Sequence, residues 1–160
     1  MQEAAHLDRA RIQTLLELTR VFSPEEVQCA LSLFDVYCEK GADPNEYVFY
    51  CVYDSMQTVL GFLCYGKASL TDLVYDLYWI VTDPDYQGQG VGSLLMRTLD
   101  ERVKHLGARM VLAETSSRVD YEGTRRFYLK RGYQPICVIK DYYARGDDLI
   151  VFQKNYQGVA

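Results

Sequence analysis

The chain has 160 residues, of which 49% are apolar, and a formal net charge of −5. This length fits a single domain, spanning residues 1–160, with one core. The acidic balance lacks the basic excess of nucleic-acid binders, and no segment approaches the about 20 apolar residues of a membrane span. We therefore expect neither a nucleic-acid nor a membrane partner.

The cysteines indicate a reducing compartment. They are five in number, widely spaced and without a C-x-x-C pair. They are Cys29, Cys38, Cys51, Cys64 and Cys137. The N-terminus carries Glu3, His6 and Asp8 and has no apolar run. We predict buried free thiols in a cytoplasmic protein. Because no His, Cys, Asp or Glu set has metal-ligand spacing, no metal is expected.

Two helices open the chain. Asp8 is a typical N-cap for a first helix over residues 9–19. Ser23 is followed by Pro24 and Glu26, a capping-box pattern that predicts a second helix to about residue 39. Three strands are then predicted at 47–53, 58–65 and about 75–81.

A glycine-rich turn follows the third strand and precedes a periodic helix at 91–106. It reads Gln87-Gly88-Gln89-Gly90-Val91-Gly92-Ser93. Glycines let a backbone approach a ligand closely, and the free N–H groups of a helix start favour an anion. The turn has no lysine where a mononucleotide P-loop needs one, and Ser93 stands where the dinucleotide fingerprint has its last glycine.

The remaining elements are a short strand at 110–113, a helix at 122–130 and strands at 133–139 and 149–153. The element order predicts a mixed α/β (α+β) fold, with a central sheet of about six strands flanked by four helices.

The chain resembles the GNAT superfamily of acetyl-CoA-dependent N-acetyltransferases over roughly residues 8–155. The resemblance rests on Gln87-x-x-Gly90-x-Gly92 and, about forty residues later, on the segment 124–133, which is similar to the family's FYxKxGF motif. The family usually opens with a strand, and here that strand is expected to be short or absent. A closer resemblance is to an uncharacterised bacterial-type subgroup, carried by segments 77–80, 114–117, 141–143 and 146–148.

The resemblance implies an acetyl-CoA site. In the family the amides of Gln87 to Gly92 and the Ser93 hydroxyl wrap the CoA pyrophosphate. The backbone at Ile80 and Val81 pairs with the pantetheine arm, and a backbone N–H there binds the carbonyl oxygen. Tyr121 replaces an asparagine that is common in the family, and it could bond through its hydroxyl or stack. A basic cluster at 118–131 is either a solvated helix face or attracts the anionic cofactor.

Tyr128 occupies the family position of the general acid for the departing thiolate. A phenol has a pKa near 10, within about two units of a thiol, so it can donate this proton. The same tyrosine could instead simply pack with Phe127 or Tyr133.

The general base has two candidates. Asp76 lies on the predicted third strand, where alternation places Asp76, Tyr78 and Ile80 on one face. Glu114 follows the next strand, and a water relay is a further alternative. Each carboxylate could also simply cap a helix or pair with an arginine.

Four polar or aromatic residues at strand ends and in a loop are expected to line the acceptor pocket: Thr115, Ser116, Tyr142 and Tyr143. The predicted function is direct acetyl transfer from acetyl-CoA, with CoA as product, to the primary amine of a small molecule, with amino-acid-like compounds among the candidate acceptors. Alternatives are a protein or peptide N-acetyltransferase, a non-catalytic acyl-CoA-binding regulatory module, and a structural domain whose loop binds only anions. A homodimer is a further expectation.

Overall fold

A computed structural model describes residues 1–156, and it confirms the mixed α/β class with four helices. The sheet has seven strands, one more than expected. The additional strand is β1, Gln2–Glu3, which agrees with a short first strand. No helix within the described residues is long and apolar enough to cross a membrane.

The helices begin and end close to the predicted residues, because their signals are local. They are α1 Arg9–Thr19, α2 Pro24–Lys40, α3 Val91–His105 and α4 Glu122–Lys130. The capping box of α2 forms as predicted. The Glu26 N–H donates to Ser23 Oγ at 3.2 Å, and the Ser23 N–H donates to Glu26 Oε2 at 2.7 Å.

The strands pair in the order β1-β2-β3-β4-β5-β7-β6. All neighbours are antiparallel except β4 and β5, which are parallel. The bounds are β2 Val48–Tyr53, β3 Val59–Lys67, β4 Val74–Thr82, β5 Met110–Ser116, β6 Gln134–Ala144 and β7 Asp147–Asn155. The last two strands are longer than predicted, so Tyr142 and Tyr143 lie within β6 and not in a loop.

The core has two halves, one on each face of the sheet. On the face covered by α3 and α4, Leu63, Leu95 and Val111 belong to one buried cluster. On the face covered by α1 and α2, Ile12, Phe34 and Phe62 belong to another. The sheet thus separates two helical layers, which we call the α3/α4 layer and the α1/α2 layer.

The thiols are free, as predicted, but they are not all buried. Cys51 and Cys64 are buried in the sheet, and burial raises the pKa of both thiols. Cys29 and Cys137 are exposed. The prediction was wrong for these two because an apolar segment on a helix surface or a sheet edge need not face the core.

Candidate active site

The parallel strands β4 and β5 separate partway along their length, and this opening is the centre of the candidate site. Their pairing runs from Val74–Met110 to Leu77–Ala113 and then stops. Beyond it, β4 continues to Thr82 and β5 to Ser116. The β4 backbone at 78–82 therefore has no strand partner on its β5 side within residues 1–156, although its other side pairs with β3.

A β-bulge at the start of the opening changes which side chains share a face. Trp79 pairs with Cys64 and Leu77 with Tyr65, so Tyr78 has no partner on β3. Leu77 and Ile80 both contact the core of the α3/α4 layer, whereas Trp79 contacts that of the α1/α2 layer. The prediction that Asp76, Tyr78 and Ile80 share a face was therefore wrong. Asp76 faces the α1/α2 layer, because Tyr75 and Leu77 face the other way.

The glycine loop lies between β4 and α3 and has the geometry of an anion site. Gly90 is the N-cap of α3 with φ 91°, and Gly88 has φ 76°. No heavy atom lies within 4 Å of a Cβ placed on either residue. The N–H groups of Val91, Gly92 and Ser93 have no hydrogen-bond acceptor in the described part of the chain. The loop thus presents free amides at the positive end of a helix, which fits a pyrophosphate.

Arg131 supplies positive charge beside these amides. Its Nη2 donates to Ser93 Oγ on the first turn of α3. Its guanidinium lies 5.2 Å from the Phe127 ring centre, and its Nε is buried without a partner in residues 1–156. Sequence reasoning placed Arg131 only within a basic cluster. Its contact with Ser93, 38 positions earlier in the chain, depends on how α4 packs against α3.

Tyr128 lies on α4 and is only 4% exposed. Its ring centre is 5.6 Å from that of Tyr133 and 5.5 Å from that of Phe152, so it packs as a core residue. Burial, followed by the nearby Tyr121 hydroxyl, raises the pKa of Tyr128. The phenol is therefore protonated throughout the neutral pH range, as a proton donor must be.

Asp76 and Glu114 lie close together on the two diverging strands. Ala113 faces the α3/α4 layer, so Glu114, like Asp76, faces the α1/α2 layer. Burial, followed by the negative charge of Glu114, raises the pKa of Asp76. Neither carboxylate forms an ion pair in the described structure. An unpaired carboxylate with a raised pKa is a better proton acceptor than an ordinary one.

Tyr121 connects this opening with the loop between α1 and α2. Its hydroxyl donates to the Val21 carbonyl at 3.4 Å, and Arg118 Nη2 donates to the same carbonyl at 3.2 Å. Phe22 of that loop packs edge-on against Trp79, with ring centres 5.2 Å apart. Because the Tyr121 hydroxyl donates to this loop, the predicted cofactor contact would be made by the ring or by the hydroxyl oxygen as an acceptor.

The four predicted pocket residues differ in what they can contact. Thr115 is buried, and its Oγ1 has no hydrogen-bond partner within the described residues. Ser116 is also buried, but its hydroxyl donates to Asp147 Oδ1 and accepts from the Arg118 N–H. Ser116 therefore holds the turn after β5, and its hydroxyl is already engaged in two hydrogen bonds.

Tyr142 and Tyr143 lie in a wide bulge of β6 and pack edge to face, with ring centres 5.0 Å apart. Burial, followed by the negative charge of Glu114, raises the pKa of Tyr143 to about 12. Tyr143 is therefore close enough to Glu114 to respond to its charge. Tyr142 is the more exposed of the two.

Comparison with known proteins agrees with this geometry. The model of the acetyltransferase (GNAT) family matches residues 12–133. A crystal structure of a GNAT-family protein from Desulfovibrio desulfuricans is 33% identical, with a TM-score of 0.89 over 96% of each chain. Comparison with curated protein sequences gives no match.

More distant structures share the fold. The Escherichia coli ribosomal-protein-S18-alanine N-acetyltransferase is 16% identical, with a TM-score of 0.77 over 99% of this chain and 94% of its own. An aminoglycoside 6'-N-acetyltransferase complexed with coenzyme A is also 16% identical, with a TM-score of 0.72 over 97% of each chain. The chain belongs to the GNAT family of acetyltransferases and is an acyltransferase.

Proposed function

We propose that the protein transfers an acetyl group from acetyl-CoA to the primary amine of a small molecule by direct attack. The observation that carries the proposal is the opening between β4 and β5, which has free helix-start amides at one end and two unpaired carboxylates on the α1/α2 face. Amino-acid-like amines are among the acceptors to test. Free thiols fit a cytoplasmic location.

Residues of the glycine loop would hold the cofactor. The amides of Val91, Gly92 and Ser93 are free to bind its pyrophosphate, and Arg131 adds a positive charge beside them. When bound, acetyl-CoA supplies an activated acyl thioester. The unpaired backbone of β4 around Ile80 and Val81 offers N–H groups that would bind the pantetheine arm and stabilise negative charge on an oxygen.

The side chains of the opening would move the protons. A lysine-like amine has a pKa of about 10.4, so deprotonating it at pH 7 costs roughly 4–5 kcal/mol. Asp76 or Glu114 would accept that proton directly or through water. The Tyr128 Oη would donate its proton to the leaving sulfur, and no cysteine is needed as a covalent nucleophile.

A screen of primary amines that reads the release of CoA thiol tests the proposal. We expect turnover with at least one small amine, and none when the amine is omitted. Turnover only with peptides would favour the protein or peptide acceptor. Tight binding of acetyl-CoA, with no release of CoA thiol in the presence of any amine, would indicate a regulatory module and not an enzyme.

The pH dependence of kcat should separate the two base candidates. If Asp76 is the base, kcat rises with pH as Asp76 loses its proton, and Asp76→Asn removes this rise and lowers kcat by about 100-fold. Glu114→Gln should keep the rise but move it to lower pH, because the charge that helps to raise the Asp76 pKa is gone. The opposite pattern would make Glu114 the base.

A further inference from the structure

One buried ion pair joins helix α1 to the segment that leads into the glycine loop. Asp83 follows β4 and is only 4% exposed. Arg11 of α1 donates from its Nη2 to Asp83 Oδ2, and its Nε donates to the carbonyl of Val59, the first residue of β3, at 3.0 Å. No other ion pair within residues 1–156 joins α1 to residues 83–93.

Asp83 in turn fixes the backbone just before the loop. Its Oδ1 accepts from the Asp85 N–H at 2.9 Å, so Asp83 is the N-cap of the short 3₁₀ turn Pro84–Tyr86. Carbonyls of that turn accept from the Gln87 and Gln89 N–H groups, each at 3.3 Å. The direction in which the glycine loop presents its remaining amides therefore depends on how Asp83 is held.

We propose that Arg11 is a positioning residue for the cofactor, and that it acts on the glycine loop through Asp83. The inference rests on the proposed function, because it takes this loop as the CoA site. A carboxylate that is buried without a cation is costly, so the guanidinium stabilises the position of Asp83. With Arg11 in place, the loop is ordered before the cofactor arrives. Without Arg11, part of the binding free energy is used to order the loop, and the apparent affinity falls.

The effect should appear in cofactor affinity and not in the chemical step. Arg11 makes no hydrogen bond or ion pair with Asp76, Glu114 or Tyr128 in the described structure. Once CoA is bound, the loop is ordered whether or not Arg11 holds it. We therefore expect substitution of Arg11 to raise the KM for acetyl-CoA, while kcat at saturating acetyl-CoA changes little.

Calorimetry of CoA binding to Arg11→Gln, with Arg9→Gln as the matched control, tests the proposal. Arg9 lies on the same helix and forms a bidentate ion pair with Asp35, at 2.6 and 2.9 Å. Its substitution also removes an ion pair of α1, but not one that reaches the loop. We expect Arg11→Gln to weaken CoA binding by about 10-fold or more, and Arg9→Gln by less than about twofold.

Two further variants separate positioning from a general loss of stability. Arg11→Lys keeps a cation beside Asp83, so its affinity for CoA should stay within about threefold of the wild type. The double variant Arg11→Gln/Asp83→Asn leaves no unpaired buried charge, and it serves as the test if circular dichroism shows that Arg11→Gln does not fold. It should also bind CoA about 10-fold more weakly, because α1 no longer holds the turn.

The outcomes distinguish this inference from the proposed function. Wild-type affinity in the folded Arg11→Gln or in the double variant would overturn the role of Arg11 and leave the proposed function intact. Equal losses in Arg9→Gln and Arg11→Gln would also overturn it, because weaker attachment of α1 alone would then explain both. If the wild type itself bound no CoA, the proposed function would fail together with this inference.

Discussion

Gly90→Glu should lose affinity for CoA by at least about 100-fold, as measured by calorimetry. Gly90 is the N-cap of α3 at φ 91°, a conformation that side chains rarely adopt. A glutamate there would place its chain and its negative charge where the free amides of Val91 to Ser93 point. Because hydrogen bonds to charged groups are worth about 1.5–3 kcal/mol each, losing two of them accounts for the change.

The control for this variant is Gly41→Glu. Gly41 also has a positive φ, 82°, and no heavy atom lies within 4 Å of a Cβ placed there. It ends α2 and is not part of the glycine loop. Both variants should lose roughly 1–3 kcal/mol of stability to backbone strain, but only Gly90→Glu should lose CoA. If the two variants bound CoA with equal affinity, the glycine loop would not be part of the cofactor site.

Tyr128→Phe should lower kcat by about 100-fold and leave the affinity for acetyl-CoA nearly unchanged. The substitution removes only the hydroxyl, and the packing against Tyr133 and Phe152 is retained. The loss of kcat should be larger for acceptors that provide no other proton for the leaving thiolate. Steady-state kinetics with the amine found in the screen, together with calorimetry, measures both quantities.

Tyr133→Phe is the matched control for Tyr128→Phe. Tyr133 packs on the same ring, is fully buried, and its hydroxyl has no hydrogen-bond partner in the described structure. Removing that hydroxyl should therefore leave kcat unchanged. If both variants kept full turnover, Tyr128 would be a packing residue only. If both lost turnover equally, the effect would arise from the aromatic cluster and not from a proton donor.

The sequence predicted the helices and the glycine loop well because their signals are local. The Ser23–Glu26 capping box needs four consecutive residues, and it forms as expected. The bulge at Tyr78 was not predictable, since it depends on how β3 and β4 pair. That bulge interrupts simple alternation and places Ile80 on the face opposite to that of Asp76.

Contacts between distant parts of the chain also explain the other residues whose surroundings the sequence did not predict. Arg131 reaches Ser93 through helix packing, and the Ser116 hydroxyl is used by Asp147 of the following hairpin. Tyr142 and Tyr143 looked like loop residues because the bulge of β6 interrupts the strand pattern. In each case a contact between distant parts of the chain outweighs what neighbouring residues indicate.

The division of the core into two layers has an evolutionary consequence. Groups that would hold the cofactor lie on α3 and α4, whereas the α1–α2 loop packs against Trp79 on the other face of the sheet. Substitutions that lie far apart and share no partners act nearly independently on stability. Substitutions in the α1/α2 layer can therefore accumulate with little effect on the stability that the α3/α4 layer contributes.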